Sequence, residues 1–189
     1  MAENTYFAAI EAPALQIELQ PRWLAATLRH FERGAALASL VRTLTGLSLP
    51  DVGVARSVTG ANGAVTLLAW RNPTETTLLT EDEELLNALL SSPAALEDGM
   101  ILDQRAGLLV LQARGEAVSS LIARKAGHGA MPAIGESRRA RFAEVAVSIV
   151  KVRAEETLLV VDRIYAPHVM ASIRVSAADL AAGSLSEML

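Results

Sequence analysis

A chain of 189 residues that is 51% hydrophobic but only 4% aromatic can bury a core built mostly from Ala, Leu, Val and Ile. It contains no cysteine, which excludes disulfides, thiol nucleophiles, cysteine-ligated zinc and iron–sulfur clusters together. A formal net charge of −4 gives no electrostatic reason to expect nucleic acid. The longest run free of Asp, Glu, Lys and Arg is residues 57–70, short of the about 20 apolar residues a spanning helix needs.

The mean hydropathy of +0.32 is high for a chain of this size, so the chain either packs efficiently or lays part of its surface against a partner. The start, "MAENTYFAAIEAP", lacks a basic stretch followed by an apolar run, so no secretory signal is expected and a cytoplasmic location is the default.

In chain order, residues 21–47 read as helical. Pro21 suits a first turn, and Trp23, Leu24, Leu28 and Phe31 recur at three- and four-residue intervals. Gly34 interrupts this run, and a second helix over 35–44 ends near Gly46. Residues 47–53 form a loop. "VARSV" and "AVTLLAW" flank a Gly60, Asn62, Gly63 turn cluster and predict a hairpin. "RNPTE" turns the chain again into a short strand, "TTLLT". Thr80 with Glu83 three residues on has the form of a capping box, opening a helix that carries Leu85, Leu86, Leu89 and Leu90. "SSPAALEDG" breaks the pattern and divides the chain into two small α+β subdomains, 1–98 and 99–189.

The second half predicts a short strand over 100–103 and a buried strand over 107–113. A helix over 116–125 follows, with Val118, Leu121 and Ile122 on one side, stopped at Gly127. A loop of Gly, His, Pro and Arg leads to a strand over 142–152, where Val145, Val147 and Ile149 alternate. "RAEET" turns it back into "LLVVDRI", and Pro167 opens a final helix bearing Val169, Met170, Ile173 and Leu180. Hairpins mixed with helices indicate an α+β fold with mostly antiparallel sheets rather than a doubly wound one.

Chemistry-bearing residues are sparse. His30, His128 and His168 stand apart, without metal-ligand spacing; His128 lies in a Gly-rich loop, where binding residues concentrate. Neither a phosphate-cradling loop nor a G-x-S-x-G elbow occurs. The acidic run Glu81, Asp82, Glu83, Glu84 reads as the first turn of a helix, offsetting its positive end. "ESRRARF" places Arg138, Arg139 and Arg141 in a solvated loop, with a phosphate or partner contact as its other reading. Asp103 with Arg105 is the pair that merits a functional reading, since the carboxylate ends a strand; a loop residue capping nearby amides is the plainer alternative. These residues assign no catalytic, cofactor-binding or metal site. The arginine cluster and the segment around Trp23 and Phe31 are candidates for partner contact.

The segment order from Leu47 onward resembles the gamma subunit of heterotetrameric sarcosine oxidase. "TGLSLPDVG" looks like that family's G-L-P-L-P segment, and "VTLLAWRNPTETTLL" is similar to its A-L-W-L-G-P-D-E-W-L-L-L strand–turn–strand. "ILDQRAGLLVLQARGEAVSSLIARKAG" looks like its D-x-S core, and "TLLVVDRIYAPHVMASI" its closing strand and helix. The sequence departs from the pattern where Thr77 replaces a Trp, where Arg105 replaces the Ser after the Asp, and where "RRARF" replaces a Cys-x-x-Thr stretch.

The resemblance implies the fold of the glycine-cleavage T-protein folate-binding domain. It also implies a non-catalytic gamma-like subunit that stabilises the larger flavoprotein subunits of a sarcosine (N-methyl amino acid) oxidase complex. FAD, FMN, NAD and tetrahydrofolate would then belong to those partners and none to this chain. Asp103 matches an acidic position of the core motif, without a catalytic role carried over. The alternative is a small folate-binding protein of one-carbon transfer, with the carboxylate on the pterin and an arginine on the glutamyl tail. A homo-oligomer using the same apolar surface on itself is the third expectation.

Overall fold

The structure, a computed structural model, describes residues 7–12, 14–31, 35–93 and 98–186. Its elements in order are β1 (Ile10–Ala12), β2 (Leu15–Leu19), β3 (Leu24–His30), α1 (Ala35–Thr45), β4 (Ala55–Thr59), β5 (Val65–Asn72), β6 (Glu75–Thr80) and α2 (Glu83–Ser91). There follow β7 (Gly99–Asp103), β8 (Leu108–Arg114), α3 (Val118–Ala126), β9 (Glu136–Phe142), β10 (Val145–Arg153), β11 (Glu156–Asp162), a 3-10 turn (Arg163–Tyr165) and α4 (Ala166–Ser186). This is the expected α+β class.

The chain forms two compact units. One contains Pro21–Leu108 and Gly135–Ser137, the other Met1–Gln20, Leu109–Ile134 and Arg138–Leu189. The expected division at 98/99 is corrected by strand pairing. β7 returns antiparallel to β3, with Thr27 opposite Leu102, so α2 before the break and β7 after it belong to one unit. The N-terminal strands leave for the other unit because β2 pairs with β8, Ile17 opposite Ala113.

The first unit is a five-stranded antiparallel sheet ordered β4-β5-β6-β3-β7. One face meets α1 and α2 in a core of Ala26, Leu28, Leu37, Val41, Leu68, Leu78, Leu86 and Leu89. The helix expected from residue 21 is here a strand. Leu24, Ala26 and Leu28 pack into the same core two residues apart, and β3 is a central strand buried on both sides, which erases the alternation. The hairpin β4–β5 and the strand β6 lie where the turn residues place them. α1 ends at Gly46, whose φ of 73° suits the left-handed stop of a helix.

Thr80 is not the cap of α2. It ends β6 fully buried, its hydroxyl 2.8 Å from that of Thr66. Asp82 is the N-cap, accepting the Leu85 N–H at 2.9 Å.

The second unit is a six-stranded sheet ordered β1-β2-β8-β11-β10-β9. Ile17, Leu111, Val147, Ile149, Leu159 and Val161 pack with Leu121 and Ile122 of α3 and Val169, Met170 and Ile173 of α4. The arginine-bearing segment is β9, the outermost strand, and not a loop. It turns into β10 through Ala143 and Glu144, both at positive φ (48° and 69°), as a tight hairpin requires.

Candidate functional site

Asp103 closes β7, and the next residues turn sharply, with the N–H groups of Gly107 and Leu108 both on the Gln104 carbonyl. That turn folds Arg105 back over the carboxylate. Its backbone N–H donates to Asp103 Oδ1 at 2.9 Å, Nε to Oδ2 at 2.9 Å and Nη2 to Oδ2 at 2.6 Å. Nη1 reaches across to α2, 3.3 Å from Asn87 Oδ1 and 3.5 Å from Glu83 Oε1. The pair expected from the sequence is therefore formed, and it joins the end of β7 to α2.

The side-chain hydrogen bond from Arg105, then its backbone N–H, holds the Asp103 carboxyl below the usual aspartate range. The same hydrogen bond raises Arg105. An ionised carboxylate saturated by a guanidinium neither donates a proton nor accepts one readily near neutrality. With side chains 40% and 34% exposed, the pair lies in high dielectric and contributes little to stability.

The other polar candidates are dispersed. His30 is buried in β3, its Nε2 3.3 Å from the Thr76 hydroxyl. His168 of α4 has Nε2 2.8 Å from the Ala143 carbonyl, and His128 is exposed in the turn after α3. The acidic run splits by function: Glu81 takes Arg22 at 2.9 Å and the Val65 N–H at 3.1 Å, Asp82 caps α2 and Glu83 faces Arg105. Among the described residues no group of three or more His, Asp or Glu could hold a metal ion. On β9, Arg138 donates to the Gly129 carbonyl and Arg141 pairs with Glu144. Trp23 is half-buried just before β3, and Phe31 is 71% exposed just after it.

Two polar nodes were not foreseen. Glu75 accepts from Arg29 Nη2 at 2.6 Å and from Asn72 Nδ2 at 2.8 Å, with Arg71 Nε at 3.6 Å. Burial pushes its carboxyl up, but the Arg29 and Asn72 hydrogen bonds and the two arginine charges outweigh it and the net shift is downward. Asp98 accepts the N–H groups of Ala36 and Leu37 at 2.8 and 3.1 Å, capping α1 from a distant part of the chain. The "EDG" sequence carries no local sign of that partner; only the return of β7 to β3 creates it.

No protein-family model matches the chain, and no curated protein does. Solved structures do match. One chain of the heterotetrameric sarcosine oxidase from Corynebacterium sp. U-96, solved with pyrrole 2-carboxylate, superposes with a TM-score of 0.77 at 20% identity, over 94% of this chain and 92% of that one. The glycine cleavage system aminomethyltransferase T from Bartonella henselae superposes at 0.52 and 8% identity, over 84% of this chain and 43% of that longer one. Likeness at these identities establishes the fold, and it is the α+β fold expected from the sequence. Among the described residues no helix is long and apolar enough to cross a membrane.

Proposed function

We propose that this chain is a non-catalytic, gamma-like subunit of a heteromeric flavin-dependent sarcosine or N-methyl amino acid oxidase, acting by stabilising larger subunits. The observation that carries the reading is the end-to-end match, nine-tenths of each chain, to one chain of a heterotetrameric sarcosine oxidase. The segment resemblance in the sequence supports the same subunit. So does the Asp103–Arg105 pair, whose oxygens and guanidinium are spent on each other and on α2. On this reading FAD, FMN, NAD and tetrahydrofolate are held by the partner subunits.

Affinity capture of the tagged chain from its own cells tests it. Co-eluting larger chains with flavin absorbance are expected; a colourless chain eluting alone refutes the subunit role.

The superposition on aminomethyltransferase T favours a second reading, a small folate-binding protein of one-carbon transfer. A pterin would have to displace Arg105 from Asp103 to use that carboxylate. Calorimetric titration with tetrahydrofolate decides: heat that disappears in Asp103→Ala supports folate binding, and no heat at high micromolar concentration removes it.

A further inference from the structure

The outer strands of the two sheets are not protected alike. On β4, Arg56 lies 3.6 Å from Asp51, and β9 presents Arg138, Arg139 and Arg141 as exposed residues. Charges of this kind keep edge strands from pairing. β1 is only three residues long. β7 is the exception: it reads Gly-Met-Ile-Leu before a single charge, Asp103, and Met100 is 39% exposed.

Hydrogen-bond geometry fixes which groups β7 offers. Gln104 donates its N–H to the Ala25 carbonyl at 2.9 Å, one step beyond the Ala26–Asp103 pair. Antiparallel bonding alternates, so Leu102 and Met100 exchange bonds with Thr27 and Arg29. The N–H and C=O groups of Gly99, Ile101 and Asp103 therefore point away from β3, at the end of the sheet.

We propose that β7 pairs antiparallel with β7 of a second copy of this chain, about a two-fold axis at Ile101, joining the two five-stranded sheets into one. In this register Ile101 faces Ile101, Met100 faces Leu102 and Gly99 faces Asp103. All three outward-turned residues are used as hydrogen-bonded pairs. A shift of one residue would turn the bonding groups away, and a shift of two would leave one of the three unmatched.

The facing side chains suit each other. Apolar residues meet apolar ones, and the only charge meets a glycine. A Cβ at position 99 would come 2.5 Å from the Arg29 carbonyl, so the strand's own packing keeps that position bare. The two Asp103 carboxylates fall at opposite ends of the pair, roughly 14 Å apart at ~3.4 Å per residue, each already neutralised by Arg105. A contact this short makes a weak dimer, with a dissociation constant of roughly 10–500 µM. The inference concerns self-association and does not rest on the subunit reading above.

The absence of cysteine from the chain makes the register directly readable. Facing Cα atoms in a hydrogen-bonded pair lie about 5.5 Å apart, within the roughly 4.4–6.8 Å a disulfide spans. Under mild oxidation Ile101→Cys is expected to give a covalent dimer on a non-reducing gel. Met100→Cys alone should cross-link several-fold less, and a mixture of Met100→Cys with Leu102→Cys should cross-link to each other. Sedimentation of the wild-type chain should show reversible dimerisation, and Ile101→Pro, which removes an outward N–H and no β3 bond, should abolish it.

A wild-type chain that stays monomeric to roughly 1 mM overturns the proposal. Equal cross-linking by Ile101→Cys and Met100→Cys, or a dimer that survives in folded Ile101→Pro, overturns it too. A monomer whose capture of larger chains is lost on Ile101→Pro assigns the edge to a strand of another protein and also overturns it. Should Ile101→Pro fail to fold, the cysteine variants decide alone.

Discussion

Replacing Glu75 with Gln removes the charge at the centre of a polar node in the five-stranded sheet while keeping size and one acceptor. The Glu75 side chain is 13% exposed, Arg71 16% and Arg29 43%. Breaking a fully buried ion pair costs about 3–5 kcal/mol, whereas an exposed one is worth about 0–1 kcal/mol. The Arg29 half of this node belongs nearer the second class and the Arg71 half nearer the first. The expected loss is therefore ~2 kcal/mol. At about 2–4 °C per kcal/mol for a chain of this length, the melting temperature should fall by roughly 4–8 °C at pH 7.

The pH dependence has a definite sign. The folded carboxyl is depressed below its ordinary value of 4.5, because the Arg29 and Asn72 hydrogen bonds and the arginine charges outweigh the upward push of burial. Below 4.5 the unfolded chain binds the proton first, so this contribution is complete above that pH and is lost as pH falls through the folded value. Thermal melts of wild type and Glu75→Gln, followed by circular dichroism from pH 7 to pH 3, should draw closer together as the pH falls below 4.5. Melting temperatures within about 1 °C of each other at pH 7, or a gap that stays constant on acidification, would refute the reasoning.

Three further substitutions have expected outcomes. Asp98→Ala leaves the Ala36 and Leu37 amides of α1 without their carboxylate and should cost about 1–2 kcal/mol, read by chemical denaturation, with faster amide exchange in the first turn of α1. Glu144→Gly relieves a non-glycine residue at φ 69° in the β9–β10 turn and should stabilise by about 1 kcal/mol; it loses only the exposed Arg141 pair, and a lower melting temperature would count against the turn assignment. The Ser176 hydroxyl of α4 is buried without a hydrogen-bond partner, so Ser176→Ala should be neutral or stabilise by roughly 1 kcal/mol, and a clear loss in a denaturant titration would show that the hydroxyl is satisfied.

Legibility followed how local the determining interaction was. The β4–β5 hairpin was readable because Gly60, Asn62 and Gly63 fix a turn between neighbours, with the Gly60 N–H on the Ala64 carbonyl at 2.8 Å. α3 was readable from Val118, Leu121 and Ile122 and from Gly127, at φ 92°. β3 was not. Its spacing of Leu24 and Leu28 fits a helix and a strand equally, and the strand wins because β6 and β7 satisfy its amides on both edges. β9 was read as solvated because its exposed arginines carry no apolar alternation, yet Ser137 and Phe142 within it are buried. For β3 the deciding partners lie far along the chain, where periodicity carries no information; β9 pairs with the adjacent β10, and it is the missing alternation that hid it.

The same distinction bears on Asp103 and Arg105. Their i, i+2 spacing allowed both a working carboxylate and a capped corner, and the sequence alone left both open. Asn87 and Glu83 favour the corner, since the guanidinium reaches from the end of β7 to both side chains on α2. Arg105→Ala should therefore leave tetrahydrofolate binding as it is in the wild type while loosening the end of β7, seen as faster amide exchange at Leu102 and Gln104. If it instead created or abolished folate binding with β7 exchange unchanged, the corner would be a ligand site and not scaffold. The opposite edge of the same strand is where unspent bonding capacity remains, at the outward amides of Gly99, Ile101 and Asp103.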